Sequence, residues 1–268
     1  MKLDRVSATK LESFVSCPYR YYLKYVKGVA TGALSSDHML FGTAVHKVME
    51  EFHDFVATSK LPEDPVQLKM LLLETLRNLT AEKMGMLSSN HPGTMRKLRL
   101  TVPVTFADYM LPYFEHFMAE KWYLRRMEPE KEFKIPLGEI AQSLPQDKLH
   151  PLYETYKHIE VQGKMDLVLY PDTIIDFKTQ ASAPGPATLV KNFQTNLYTL
   201  IFDKDMTFLY VYLFRRLRIK ELKILGADRI DKFNALVDFI NIVATAKSYN
   251  RNPKSCYMCV FRKFCKIV

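Results

Sequence analysis

Residues 160–179 read EVQGKMDLVLYPDTIIDFKT, two β-rich runs on either side of a Tyr-Pro-Asp turn. Successive side chains leave opposite faces of a strand. In the second run Asp176 and Lys178 therefore share one face while Phe177 points to the other. The turn at Tyr170, Pro171 and Asp172 returns the chain beside the first run. That return brings Asp166 towards Asp176, so two carboxylates and an ammonium are expected to converge on neighbouring strands.

Working outward, EKEFKIPLG at 130–138 and HIEVQGKMDLVLY at 158–170 are further strand-like runs after Pro129, and a mixed sheet is expected in the middle of the chain. A helix follows from about Ala187 to Phe202, and TFLYVYLFRRLRIKELKIL at 207–225 alternates well enough for two more strands. The last helix spans about Asp228 to Tyr249. Upstream, Ser7 caps an amphipathic helix carrying Leu11, Phe14, Val15, Tyr22 and Tyr25, which ends near Gly28. TGALSSDHML at 31–40 reads as a loop. A second helix starts about Phe41 and sets His46 beside the stripe Val45, Val48, Met49, Phe52. From Pro62 to Arg126 the pattern stays helical, with breaks at Pro65, SSNHPG, Pro103 and Pro112.

A chain of 268 residues with 48% hydrophobic side chains can bury a sizeable core, which excludes a disordered protein. No apolar run approaches the roughly 20 residues needed to cross a bilayer, and the charged start MKLDRVSATKLESF is unlike a signal peptide. A cytoplasmic location without a membrane partner is expected. The net charge of +9 favours polyanionic partners. Basic residues interleave with aromatics in RYYLKYVKG, KWYLRRM and FRRLRIK, and MRKLRL adds a basic run, together suiting phosphate contact and base stacking. There is no internal repeat and no phosphate-cradling GxxxxGK[ST] loop.

Hard divalent cations such as Mg²⁺ and Mn²⁺ prefer oxygen ligands, and an imidazole from His46 would bias such a site towards Mn²⁺. A cation held by Asp166 and Asp176 could polarise a phosphodiester and activate water, with Lys178 orienting that water or offsetting developing charge. Taken alone, DxK reads as a surface ion pair. Four cysteines in a reducing compartment are poor candidates for disulfides. Cys256, Cys259 and Cys265 form a C-x2-C-x5-C run and Cys17 lies far away before Pro18. Thiolates so spaced bind zinc or an iron–sulfur cluster, and spacing does not choose between them.

In order along the chain, FGTAVH, GKMD, IIDFKT and QTNLY resemble the motifs of the RecB-like branch of the PD-(D/E)XK nuclease superfamily. The resemblance implies His46, Asp166 and Asp176 as metal ligands, with the Phe177 backbone carbonyl also facing the metal. It implies Lys178 as the catalytic lysine, and Gln194 and Tyr198 as a helix pair flanking the site. Glu132 is matched to an acidic residue that some relatives carry before GxxxD. One cysteine before a proline and three after the nuclease motifs is similar to the AddB nuclease domain and the CRISPR-associated adaptation nucleases, which implies a [4Fe–4S] cluster on Cys17, Cys256, Cys259 and Cys265, with zinc as the lesser occupant.

The resulting expectation is a single α/β domain over 1–268, a restriction-endonuclease-like core with a central mixed sheet flanked by helices. Within it, residues 1–52 supply N-terminal helices, 53–128 a large helical insertion, 129–226 the catalytic sheet and 227–268 the terminal helix and cysteines, the termini being joined by the cluster. A helical insert of this size is expected to cap the site and pass single strands. The implied function is a metal-dependent DNA exonuclease acting on single-stranded or end-opened DNA, with a helicase or CRISPR adaptation proteins as partners. The rival is a non-catalytic DNA-binding or scaffold subunit of such a complex.

Overall fold

The structure, a computed structural model, describes residues 3–30, 37–93, 106–179, 192–213, 217–256 and 259–265. Six strands form one mixed sheet: β1 (Arg5–Val6), β2 (Met127–Pro136), β3 (Glu160–Leu169), β4 (Thr173–Lys178), β5 (Met206–Tyr212) and β6 (Arg218–Ile224). The path runs β1-β3-β4-β5-β6, with β2 pairing antiparallel to β3 along most of its length. β3 and β4 are antiparallel, Leu167 opposite Ile175 and Leu169 opposite Thr173, while β4 and β5 are parallel. The Tyr-Pro-Asp turn lies where the sequence puts it. Arg125 holds it from outside, donating to the carbonyls of Tyr170 and Leu169 and to Asp172 Oδ1 at 3.0, 2.8 and 2.7 Å.

The helices are α1 (Ala8–Ser16), α2 (Pro18–Tyr21), α3 (Asp37–Thr58), α4 (Pro65–Asn90), α5 (Phe106–Ala119), α6 (Leu137–Gln142), α7 (Tyr153–Tyr156), α8 (Phe193–Ile201), α9 (Arg229–Thr245) and α10 (Arg262–Cys265). They cover both faces of the sheet. Val168, Ile174, Phe208 and Tyr210 pack with Leu11, Leu197, Tyr198, Phe233 and Ile240 from α1, α8 and α9. The alternate residues Leu167, Ile175, Phe177 and Val211 pack with Val45, Phe52, Leu72 and Phe114 from α3, α4 and α5. Strands buried on both faces in this way read as continuous apolar runs, as DLVLY and TIID do.

The described part of 53–128 is therefore a layer behind the sheet. No described residue from it lines the cavity that holds the site, contrary to the expected cap. Its apolar stripes match the sheet face carrying Phe177, and burial draws them there. Residues 94–105, with all of MRKLRL and Pro103, together with the first three residues of FRRLRIK and the helix start at Ala187, lie outside the described residues.

Local differences from expectation have local causes. The N-terminal helix breaks at Cys17, whose φ of −163° and ψ of 102° are extended because a residue before proline is pushed out of the α region. It resumes through α2 and a π turn at Tyr22–Val26, ending at Gly28 with φ of 64°. Pro65 opens α4 instead of interrupting it, with Asp64 Oδ1 accepting from the Val66 and Gln67 amides at 3.1 and 2.8 Å. Pro112 sits inside α5, where buried Tyr113, Phe114 and Phe117 anchor the helix around it. α3 begins at Asp37, earlier than the apolar stripe, and α9 ends at Thr245. The short α6, α7 and β1 have no periodicity long enough to read.

Gly163 of GKMD has a packing reason. A Cβ there would lie 2.5 Å from Phe133 Cζ, so the bare backbone of β3 lets the cross-strand Phe133 ring lie flat over it. That ring meets Tyr198 edge to face at 5.8 Å. The glycine thus shapes one wall of the site through its neighbour's ring.

Candidate active site

Asp166, Asp176 and Lys178 emerge on the sheet face under α1 and α8, and His46 reaches them from α3. Together with Ser7, Thr9, Glu12, Gln162, Lys164, Gln194 and Tyr198 they line one cavity of about 430 Å³. His46, Asp166, Asp176, Lys178, Gln194 and Tyr198 are all at this place, and the Phe177 amide reaches Asp166; Glu132 is not among the lining residues. A second hollow of about 440 Å³ shares Ser7, Phe133, Gln162, Gly163 and Lys164 with it and continues along β2 past Glu132 and Lys134.

The bonds within the cavity are specific. His46 Nδ1 lies 3.4 Å from Asp166 Oδ2, which also accepts from the Phe177 amide at 2.7 Å. Gln194 donates through Nε2 to Asp176 Oδ1 at 2.5 Å, and Nε2 lies 3.0 Å from the Tyr198 hydroxyl, which donates to the Lys164 carbonyl. These two side chains are four apart on α8 and so share a face. Lys178 Nζ sits 2.7 Å from Asp176 Oδ2 and 3.4 Å from Gln194 Oε1. The Asp176 contact is an ion pair off hydrogen-bonding geometry, so the buried Oδ2 has no hydrogen-bond donor.

Burial dominates the electrostatics. It pushes the Asp176 carboxyl up to about 6, against the opposing pull of Lys178, and Asp166 adds to the rise. Lys178 is itself desolvated, but pairing with Asp176 wins and holds its ammonium above the usual lysine value. The two partners thus pull in opposite directions. Asp176 is the more constrained, its side chain 3% exposed against 30% for Lys178, so burial sets the direction of its shift, and above about pH 6 the metal-free pair is ionic. Burial would lower the His46 imidazole, but its hydrogen bond to Asp166 and the charges of Asp166 and Asp176 lift it above the ordinary value.

Phe177 is anchored from behind. Its ring stacks on His53 at 5.6 Å and meets Tyr113 edge-on at 5.6 Å. The His53 ring nitrogens lie 2.5 Å from the Met49 carbonyl and 2.6 Å from the Tyr113 hydroxyl, and burial depresses its pKa to about 4. A neutral histidine therefore braces the strand that carries Asp176 and Lys178.

Two acids that sequence reasoning passed over stand at the site. Glu12 on α1 faces the cavity; burial raises its carboxyl and Lys178 is the main charge opposing the rise. Nothing in its spacing could have shown this, because the placement of α1 over the sheet is tertiary. Glu130 stands closer to Asp166 than the expected Glu132 does. The β2–β3 register pairs Pro129 with Leu167 and Lys131 with Met165, skipping the position where Glu130 meets Asp166. There Glu130 takes a left-handed φ of 51°, pairs with Lys164, and is raised by burial and by Asp166 and Glu50. A non-glycine residue held in that region costs on the order of 1 kcal/mol, and such strain concentrates at functional sites. Glu132 instead pairs across from Lys164 and lines the adjoining hollow.

The four cysteines are brought together at the joined ends. The Tyr19 amide donates to the Asn250 carbonyl at 3.1 Å, and Asn252 and Ser255 side chains both donate to the Ser16 carbonyl, at 2.9 and 2.7 Å. Cys265 is buried, which raises its thiol; Arg251 opposes this, and Cys256, Cys17 and Cys259 each add to the rise. All four are free thiols. Among the described residues no three His, Cys, Asp or Glu side chains already stand in an ion-holding arrangement, either here or in the cavity.

A family model described as the PD-(D/E)XK nuclease superfamily matches residues 5–266. Among solved structures, a protein of Eubacterium rectale described as a candidate exonuclease superposes with a TM-score of 0.50 at 12% identity, over 99% of this chain and 89% of that one. The structure named SSO0001 aligns with a TM-score of 0.39 at 14% identity, over 99% and 88%. No curated protein matches the sequence. The Eubacterium rectale structure is similar in fold.

Proposed function

The chain belongs to the PD-(D/E)XK nuclease superfamily, and within it we propose a metal-dependent deoxyribonuclease that acts from strand ends. The observation that carries this reading is the convergence of buried Asp176 with Asp166, His46 and Lys178 on one cavity, Asp176 Oδ2 having the Lys178 ammonium at 2.7 Å beside it. Two carboxylates and an imidazole facing one cavity, with a single ammonium between them, leave room and charge for a divalent cation. The donor set of two carboxylates, an imidazole and the Phe177 carbonyl fits Mg²⁺ or Mn²⁺, as superfamily nucleases usually use. Bound there, the cation would supply polarisation of the phosphodiester and activation of water.

The chain's own residues do the rest. The Phe177 amide fixes Asp166, and Gln194, held by Tyr198, fixes Asp176. With Asp176 engaged as a metal ligand, Lys178 would be free to orient the attacking water and to offset the charge developing on the phosphate. DNA as substrate is supported by the family resemblance, and action from ends by that resemblance and by the description of the Eubacterium rectale protein as a candidate exonuclease; a helicase or CRISPR adaptation proteins would deliver such ends. End-labelled linear and covalently closed circular single strands, incubated with Mn²⁺, Mg²⁺ or EDTA, test the reading. Linear DNA is expected to be shortened with either metal and spared in EDTA, the circle untouched. A cut circle would overturn the end requirement, and inertness towards every substrate with metal present would overturn the nuclease reading.

The four thiols fit a [4Fe–4S] cluster in number and type, and zinc in type. Residues 17 and 265 so tied would close nearly the whole chain into one loop. Anaerobically purified protein is expected to hold about four iron and four sulfide per chain. One zinc and no iron would make the staple a zinc site.

A further inference from the structure

The net charge of +9 is not spread over the molecule. No Asp or Glu occurs between Glu12 and Asp37, or anywhere after Asp238. Those two acid-free stretches hold Arg20, Lys24 and Lys27, then Lys247, Arg251, Lys254, Arg262, Lys263 and Lys266. They are nine of the 38 basic residues, so the other 29 face 29 acids and the remainder of the chain is neutral.

The fold joins the two stretches. Besides the hydrogen bonds from Tyr19, Asn252 and Ser255, the Tyr22 and Tyr249 rings stack at 4.9 Å and the Arg251 guanidinium lies over Tyr19 at 4.9 Å. Lys24 and Lys27 reach over Tyr25 and Tyr22 at 5.0 and 5.8 Å. Lys24, Lys27, Lys247, Arg251, Lys254, Arg262 and Lys263 are all exposed, and none is paired with a carboxylate among the described residues. Tyr19, Tyr22 and Tyr25 are half-buried, and each has at least one of these cations or Lys10 beside its ring.

We propose that this joined-end surface is the docking track for a single nucleic-acid strand, its lysines and arginines on the phosphates and its tyrosines against unpaired bases. The inference rests on the nuclease reading for its direction and on charge and chemistry for the rest. Interleaved cations and aromatics suit bases and phosphates together, and a strand bound beside a nuclease cavity uses both, whereas an acidic protein would use chiefly the cations. α1 connects track to cavity: Thr9 and Glu12 line the site, and the Ser16 carbonyl at its other end receives the tail. Nine helical residues span about 14 Å, so a strand on the track reaches Asp176 within a few nucleotides. The cavity mixes Glu12, Asp166 and Asp176 with His46, Lys164 and Lys178, so the strand is held chiefly by the cationic track beside it.

The test is equilibrium binding of a fluorescent oligothymidine to the full protein in EDTA, where cleavage is silent, over a range of salt. Lys24→Gln/Lys27→Gln/Arg251→Gln is expected to weaken binding 10-fold or more at moderate salt and to reduce the slope of log K against log salt by about 2 units, near 0.7 per lost phosphate contact. Lys60→Gln/Lys69→Gln/Lys148→Gln removes the same charge from exposed positions elsewhere and should leave the slope alone. Tyr22→Leu should weaken binding without changing the slope. Equal effects of the two triple variants would overturn the track, leaving net charge as the cause. So would wild-type binding to phosphatidylserine vesicles without binding to the oligonucleotide. Binding that obeys these expectations in a protein that cleaves nothing would sink the nuclease reading and keep the track. Thermal midpoints like that of the wild type confirm that the variants fold.

Discussion

Lys178→Ala is expected to lower kcat by about 10²–10³-fold, the range for removing one preorganised electrostatic partner of a transition state, with KM for DNA changed by no more than a few-fold. Lys178 stands at the end of β4, its Nζ 2.7 Å from Asp176 and 3.4 Å from Gln194, with only part of the side chain open to the cavity. A group so placed acts on reacting atoms more than on the length of a bound strand, because strand affinity is set by contacts summed over many phosphates. Lys178→Arg should not restore the rate: the guanidinium is larger, spreads its charge, and cannot occupy a pocket shaped for a compact ammonium. Steady-state cleavage in saturating Mn²⁺ separates the two parameters. A raised KM with unchanged kcat would move Lys178 from the chemistry to substrate binding.

The part of this site legible in the sequence is the part encoded locally. Asp176 and Lys178 share a face because they are two apart on a strand, and Gln194 and Tyr198 share one because they are four apart on a helix; both relations hold in the structure. The Tyr-Pro-Asp turn brings Asp166 back because turn chemistry is also local. Glu130 was hidden because its meeting with Asp166 depends on β2–β3 register and on a left-handed residue that no pattern announces. Glu12 was hidden because its approach to Lys178 is made by the packing of α1 over the sheet. The same distinction explains the helices of 53–128. Their periodicity shows that they are amphipathic, but which apolar surface they cover is settled by Leu167, Ile175 and Phe177 on the far face of the sheet.

The second large effect concerns stability and has the opposite sign to most active-site damage. Asp176→Asn should abolish cleavage and yet make the metal-free protein more stable at pH 7.5. Burial holds the folded carboxyl near 6, above its ordinary 3.8, so the folded state binds the proton more tightly than the unfolded chain does. The sign follows from linkage: the contribution is fully present below about pH 4 and is lost as pH rises through about 6. Above that range the protein carries a buried charge that its Lys178 partner offsets only in part, and asparagine removes it without changing shape. A rise of that size corresponds to about 3 kcal/mol. That figure is already net of the pull of Lys178, so the gain is up to about 3 kcal/mol, less what an asparagine amide costs facing the Lys178 ammonium. Lys178 can turn to Gln194 Oε1 or to water, being partly exposed, which keeps the subtraction modest. Mn²⁺ at about 100 times its dissociation constant should then stabilise the wild type by about 2.7 kcal/mol, and the variant by far less. Urea unfolding at pH 5 and 7.5, with EDTA or Mn²⁺, reads all of these differences. A variant less stable than the wild type at pH 7.5 in EDTA would show that the ion pair with Lys178 outweighs burial, and that the carboxylate needs no cation to rest comfortably where the fold has put it.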